Sequence, residues 1–118
     1  MLMKIDCVMI RVGDLDTARD FYRDHLGLVE LWRDDSEPAI GMGFPESDAE
    51  IVLHSIDLPA RVDVTYLVED VERSIRELRA GGAEVVREPF DIAIGKCATF
   101  LDPFGNEISI LDMTKGPR

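Results

Sequence analysis

An α+β fold built from two βαβββ modules is predicted by three observations. The segment "CVMIRVGDLDTARDFYRDHLG" from Cys7 repeats in outline as "DVTYLVEDVERSIRELRAGG" from Asp63, with Val12 on Val68 and Asp14 on Asp70, 56 residues apart. In each copy a strand-like run ends in Val-x-Asp, and apolar residues then recur at helical spacing. After each helix come three short strand-like runs parted by polar turns. A unit this long, present only twice, is no solenoid; two small curved sheets, each with a face to cover, are its natural product.

The elements follow in order. On the first strand Cys7, Met9 and Arg11 alternate onto one face. Asp14 suits a helix N-cap, because a short carboxylate accepts from the exposed amides of the first turn. Leu15, Ala18, Phe21, Tyr22 and Leu26 then mark a helical stripe, and Gly27 stops it. Strands are expected at Leu28–Arg33, Ala39–Phe44 and Glu50–Ile56, with polar turns between them. Asp57-Leu58-Pro59-Ala60 reads as the linker. The second copy places Asp70 as N-cap, Val71, Ser74, Ile75 and Leu78 on the helix stripe, and Gly81-Gly82 at its end. Strands at Glu84–Glu88, Lys96–Leu101 and Glu107–Asp112 complete it. One domain over residues 1–118 is expected, with module one at about 3–57 and module two at about 60–113.

The 118 residues are 46% apolar, with two cysteines and a formal net charge of −11. A chain of this size hides roughly two thirds of its extended surface on folding. The charge argues against nucleic acid as partner, since phosphates need a basic footprint, and against anionic membrane surfaces. A negative field concentrates cations, so a cationic ligand is compatible. No apolar run nears the ~20 residues of a membrane span, and Met1–Asp6 lacks the pattern of a signal peptide. Cys7 and Cys97 make no disulfide framework and suit a reducing cytoplasm.

The "RVGDLDTARDFYRDHLGL" segment and the "DPFGN" turn before the last strand, set in paired βαβββ units, resemble the vicinal oxygen chelate superfamily. This group includes glyoxalase I, extradiol dioxygenases, epimerases, and fosfomycin- and bleomycin-resistance proteins. The resemblance runs from about Ile5 to Met113 and implies an open barrel-like cup, often completed across a homodimer. Enzymatic members hold a divalent metal there, on His, Glu or Gln from the first and last strand of each module. The resemblance puts those positions at Cys7, Asp63 and Ser109, and projecting Ser109 back by 56 gives Leu53, with His54 next to it.

Serine is a poor ligand for a divalent ion and leucine is none, so no metal and no other cofactor is expected. The alternative is a divalent metal on Cys7, His54, Asp63 and Glu107, which a one-residue shift of the fourth strand would allow by turning His54 inward. Cys7 also reads as a small buried core residue, and His25 suits the end of the first helix. Arg11 matches an arginine that meets a substrate carboxylate in glyoxalase I-like relatives, or it pairs with an internal acid. Ligand contacts are expected at Cys7, Met9, Arg11, Trp32, Asp63, Thr65, Glu107 and Ser109, with aromatic walls for a planar molecule. Two function classes follow. One is a cytoplasmic, homodimeric binder of a small organic or cationic ligand, like the bleomycin-resistance proteins. The other is a divergent metal-dependent lyase, isomerase or dioxygenase. Whether the chain catalyses anything stays open at this stage.

Overall fold

The computed structural model describes residues 1–57 and 63–116. Its elements are β1 (Lys4–Arg11), α1 (Leu15–Asp24), β2 (Val29–Asp34), β3 (Ala39–Gly43), β4 (Glu50–His54), β5 (Asp63–Leu67), α2 (Val71–Ala80), β6 (Val85–Ile92), β7 (Gly95–Leu101) and β8 (Glu107–Leu111). The order is βαβββ twice, and the fold is α+β. Of the expected linker, Leu58, Pro59 and Ala60 lie outside the described residues. No described helix is long and apolar enough to cross a membrane.

The chain forms two compact units, one of Asp6–Asp63 and one of Met1–Ile5 with the chain from Val64 onward. The N-terminal tip joins the second unit through the Met3 amide, which donates to the Leu67 carbonyl at 2.8 Å. In the first unit the strand order is β2-β3-β4-β1, with β1 and β4 parallel. In the second it is β6-β7-β8-β5, with β5 and β8 parallel. Each sheet packs one face on its helix. Leu28, Ile40, Met42 and Leu53 meet Leu15, Ala18 and Tyr22 in the first. Ala98, Phe100 and Ile110 meet Val68, Val71 and Ile75 in the second. Phe21 and Leu26, expected on the buried stripe, are exposed instead. Phe21 lies a further 100° or so around the helix from Tyr22, and its ring rests against His25.

Both N-caps form. Asp14 accepts from the Thr17 amide at 2.9 Å and Asp70 from the Arg73 amide at 3.0 Å. Asp14→Ala and Asp70→Ala are each expected to cost about 1 kcal/mol in urea unfolding. Equal midpoints for parent and both variants would contradict the cap assignment.

The repeat does not keep one spacing. Across the parallel strands Met9 faces Val52 and Arg11 faces His54, while Thr65 faces Ser109 and Leu67 faces Leu111. The helices repeat every 56 residues, but the last strands repeat every 57. Val52, not Leu53, is therefore the counterpart of Ser109. Leu53 is buried against α1 as the counterpart of Ile110. The projection onto Leu53 fails because a one-residue register change turns every side chain to the other face. The second module also runs longer at β6, to Ile92, and carries Pro89 there with two register shifts. Proline, which has no amide to give to a ladder, is tolerated on such an edge strand.

Asp112 directly follows β8 and ties three segments together. Its buried carboxylate accepts from the Val71 amide at 2.7 Å, the Lys96 amide at 2.9 Å and the Thr114 hydroxyl at 2.9 Å. Helix α2 thus has two carboxylates at its N-terminus, Asp70 and Asp112, where the helix dipole favours them. The first module has Ser55 at the place of Asp112.

Candidate functional site

Each sheet has a helix-free face, and the alternation of its strands decides what stands there. In the first module these are Cys7, Met9 and Arg11 on β1, Glu50, Val52 and His54 on β4, and Ala39 and Gly41 on β3. Cys7, Ala39 and Val52 are buried together, with Met9 and Trp32 packed over them. Trp32 can lie across β3 because Gly41 has no side chain: a Cβ there would sit 2.0 Å from the indole Nε1. The indole N–H donates to Glu50 Oε1 at 3.1 Å, which fixes the ring.

Farther along the same face Arg11 stands across from His54. The guanidinium lies 3.7 Å from the fully exposed Asp57 carboxylate, a surface pair of little energetic weight. Arg11, Val12, Gly13 and Ser55 line a recess of ≈ 410 Å³ at the carboxyl ends of these parallel strands. His54 has a relative exposure of 0%, and neither ring nitrogen has a hydrogen-bond partner among the described residues. Its backbone is satisfied at the carbonyl, which accepts from the Val12 amide at 2.8 Å.

Burial holds the His54 imidazole below its usual pKa; the Asp63 carboxylate opposes this and Arg11 adds to it. The folded value is the lower one, so the unfolded chain takes up the proton first. His54 contributes its full stability above the unfolded value near 6.5, and loses it as pH falls below that. His54→Leu is accordingly expected to flatten the decline in melting temperature between about pH 7 and 5. Parallel profiles for parent and variant would rule this out.

In the second module Thr65 faces Ser109 across β5 and β8, and Ser109 faces Thr99 across β7. The Thr99 and Ser109 hydroxyl oxygens are 3.0 Å apart. Asp63 is half-buried at the head of β5, and Glu107 is exposed at the start of β8. Burial pushes the Cys97 thiol up to about 11, so it stays protonated and is a poor nucleophile.

These residues do not fit a divalent metal. The positions marked by the family resemblance now read Cys7 and Val52 in the first module, Asp63 and Ser109 in the second. Valine has no donor atom and serine a weak neutral one. The alternative set fails on spacing. His54 does occupy the helix-free face, but Cys7 is paired with Glu50 and His54 with Arg11, four residues farther along. That is roughly 13 Å of strand, against metal bonds of about 2.0–2.3 Å. Among the described residues no three His, Cys, Asp or Glu side chains gather to hold one ion.

Glu50, Gly41 and Thr99 escape a reading of the sequence. Glu50 alternates with Val52 and His54, but its tie to Trp32 depends on pairing two strands away.

Residues 4–110 match the family model for the glyoxalase/bleomycin resistance protein/dioxygenase superfamily. No curated protein matches the chain. Among solved structures it is similar to the methylmalonyl-CoA epimerase of Mycobacterium tuberculosis, at 23% identity over 94% of this chain and 88% of that one, with a TM-score of 0.78. A hypothetical protein from Bacillus halodurans matches at 18% identity over 98% and 97%, with a TM-score of 0.78. A Streptomyces coelicolor methylmalonyl-CoA epimerase variant in complex with 2-nitronate-propionyl-CoA matches at 16% identity over 97% and 99%, with a TM-score of 0.75. At these identities the structures speak for the fold. With the family model covering nearly the whole length, the chain belongs to the glyoxalase/bleomycin resistance protein/dioxygenase superfamily.

Proposed function

We propose that this chain is a small-molecule-binding member of its superfamily with a degenerate metal site. It holds an organic ligand by polar and aromatic contacts, with no divalent ion. The observation that carries the reading is the register. Val52 stands on β4 where Ser109 stands on β8, so neither closing strand offers a strong metal donor at that place. The contacts proposed on the first module are Cys7, Met9, Arg11 and Trp32; Asp63, Thr65, Glu107 and Ser109 are candidate contacts on the second module by itself. Trp32 offers a flat apolar surface, and Arg11 a guanidinium beside the recess. A divergent metal-dependent enzyme using the alternative set needs Cys7 and His54 on one ion, and the spacing opposes that.

The proposal includes a homodimer, since β2 and β6 each end a sheet and an uncovered edge invites a second chain. Light scattering at micromolar concentration would test it, and a monomer of 13.2 kDa would refute it.

Thermal-shift screening tests ligand class, because a ligand that binds the folded state raises its melting temperature by mass action. Organic ligands are expected to raise it, and Mn²⁺, Co²⁺, Ni²⁺ and Zn²⁺ to leave it unchanged. A rise with one of these ions and with no organic compound would reverse the assignment.

A further inference from the structure

The helix-free face of the first module contains one polar side chain that its own packing leaves unsatisfied. His54 is fully enclosed, yet both ring nitrogens lack a hydrogen-bond partner among the described residues. Buried polar groups nearly always have one, so an unmet pair calls for a partner from outside the described chain. A recess of ≈ 410 Å³ begins beside it: Arg11 is its partner across the strand pair, the Val12 amide bonds its carbonyl, and Ser55 follows it in sequence.

We infer that His54 determines specificity at this face, bonding an uncharged hydroxyl or carbonyl oxygen of a small organic acid whose carboxylate lies toward Arg11. The inference rests on the metal-free, ligand-binding reading above. A neutral imidazole carries one donor and one acceptor, so it suits a hydroxyl, which can give and take a hydrogen bond, better than a charged group. Burial keeps the ring neutral at physiological pH. Arg11 brings a permanent positive charge next to it, within a chain whose net charge is −11. The face therefore separates the two demands: one cationic contact for a carboxylate and one neutral contact for the adjoining oxygen. Because the ring is enclosed, binding requires an opening that brings the oxygen to it.

Glycolate and acetate are the probes, since they differ by one hydroxyl. Titrations of ¹⁵N-labelled protein are followed at the His54 ring nitrogens and at backbone amides. Glycolate is expected to move both ring-nitrogen signals and to bind at least about ten-fold tighter than acetate. His54→Phe is expected to abolish that preference while leaving acetate affinity within about two-fold, because the carboxylate contact survives. Equal affinities, ring nitrogens that glycolate does not move, or no binding of either acid would each overturn the inference. The wild-type titration stands alone if the variant does not fold. A stoichiometric metal would refute the metal-free reading instead, so the two fail by different observations.

Discussion

Asp112→Ala is expected to unfold roughly 10 °C below the parent chain, a loss of about 3 kcal/mol. The carboxylate is buried, with a relative exposure of 1%, and bonds the first amide of α2, the head of β7 and the Thr114 hydroxyl. Alanine leaves the buried Val71 amide and the half-buried Lys96 amide without this acceptor, and an unmet buried amide costs about 1–3 kcal/mol. Asp70 still caps Arg73, so the helix keeps one of its two carboxylates. Burial raises the Asp112 pKa, but the Val71 and Lys96 amides and the Thr114 bonds outweigh it, and the folded value lies below the usual 3.8. The stabilisation is therefore complete above the unfolded value and is lost as pH falls through the folded one. Ser55→Ala is the control: it changes the equivalent position of the first module and is expected to be near neutral. A small effect of Asp112→Ala in differential scanning calorimetry would refute the role of this carboxylate.

Gly95→Ala should cost a similar amount for a steric reason. A Cβ at Gly95 would lie 2.1 Å from Asp112 Oδ1, 2.5 Å from the Asp112 carbonyl oxygen and 2.9 Å from its carbon. Two of those atoms are backbone, so no rotamer change relieves the clash, and β7 must draw away from the end of β8. Overpacking of this kind costs about 1–3 kcal/mol, and the Lys96–Asp112 bond is strained with it. Gly41→Ala is a contrast, because the atoms it meets belong to the Trp32 side chain, which can move aside. Urea unfolding with equal midpoints for Gly95→Ala and the parent would contradict the close approach.

The two helices were legible because their signals are local. Asp14 and Asp70 lie next to the runs they cap, and Gly27 and Gly82, both with positive φ, follow those runs. The face carrying Cys7, Met9 and Arg11 was legible from alternation alone. The fourth strand was not. Ala39 pairs with His54 and Cys97 with Leu111, so the third strands repeat every 58 residues, the last every 57 and the helices every 56. These changes accumulate in turns, where no periodicity records them, and period-two alternation cannot show which parity faces the helix. Alternation alone therefore does not say whether Leu53 or His54 takes the helix-free face. Its enclosure depends on packing that no local pattern encodes. Asp112 falls at the end of the expected strand Glu107–Asp112, and its tying role is not local either: its partners are 41 and 16 residues away in sequence.

The central proposal is that neither module supplies the donors of a metal centre at the positions the family marks. Elemental analysis of protein purified without chelators and without a nickel column tests it most directly. The account predicts far less than one equivalent of manganese, iron, cobalt, nickel, copper or zinc per chain, unchanged in Cys7→Ala and Asp63→Ala. Close to one equivalent in the parent, lost in either variant, would contradict it.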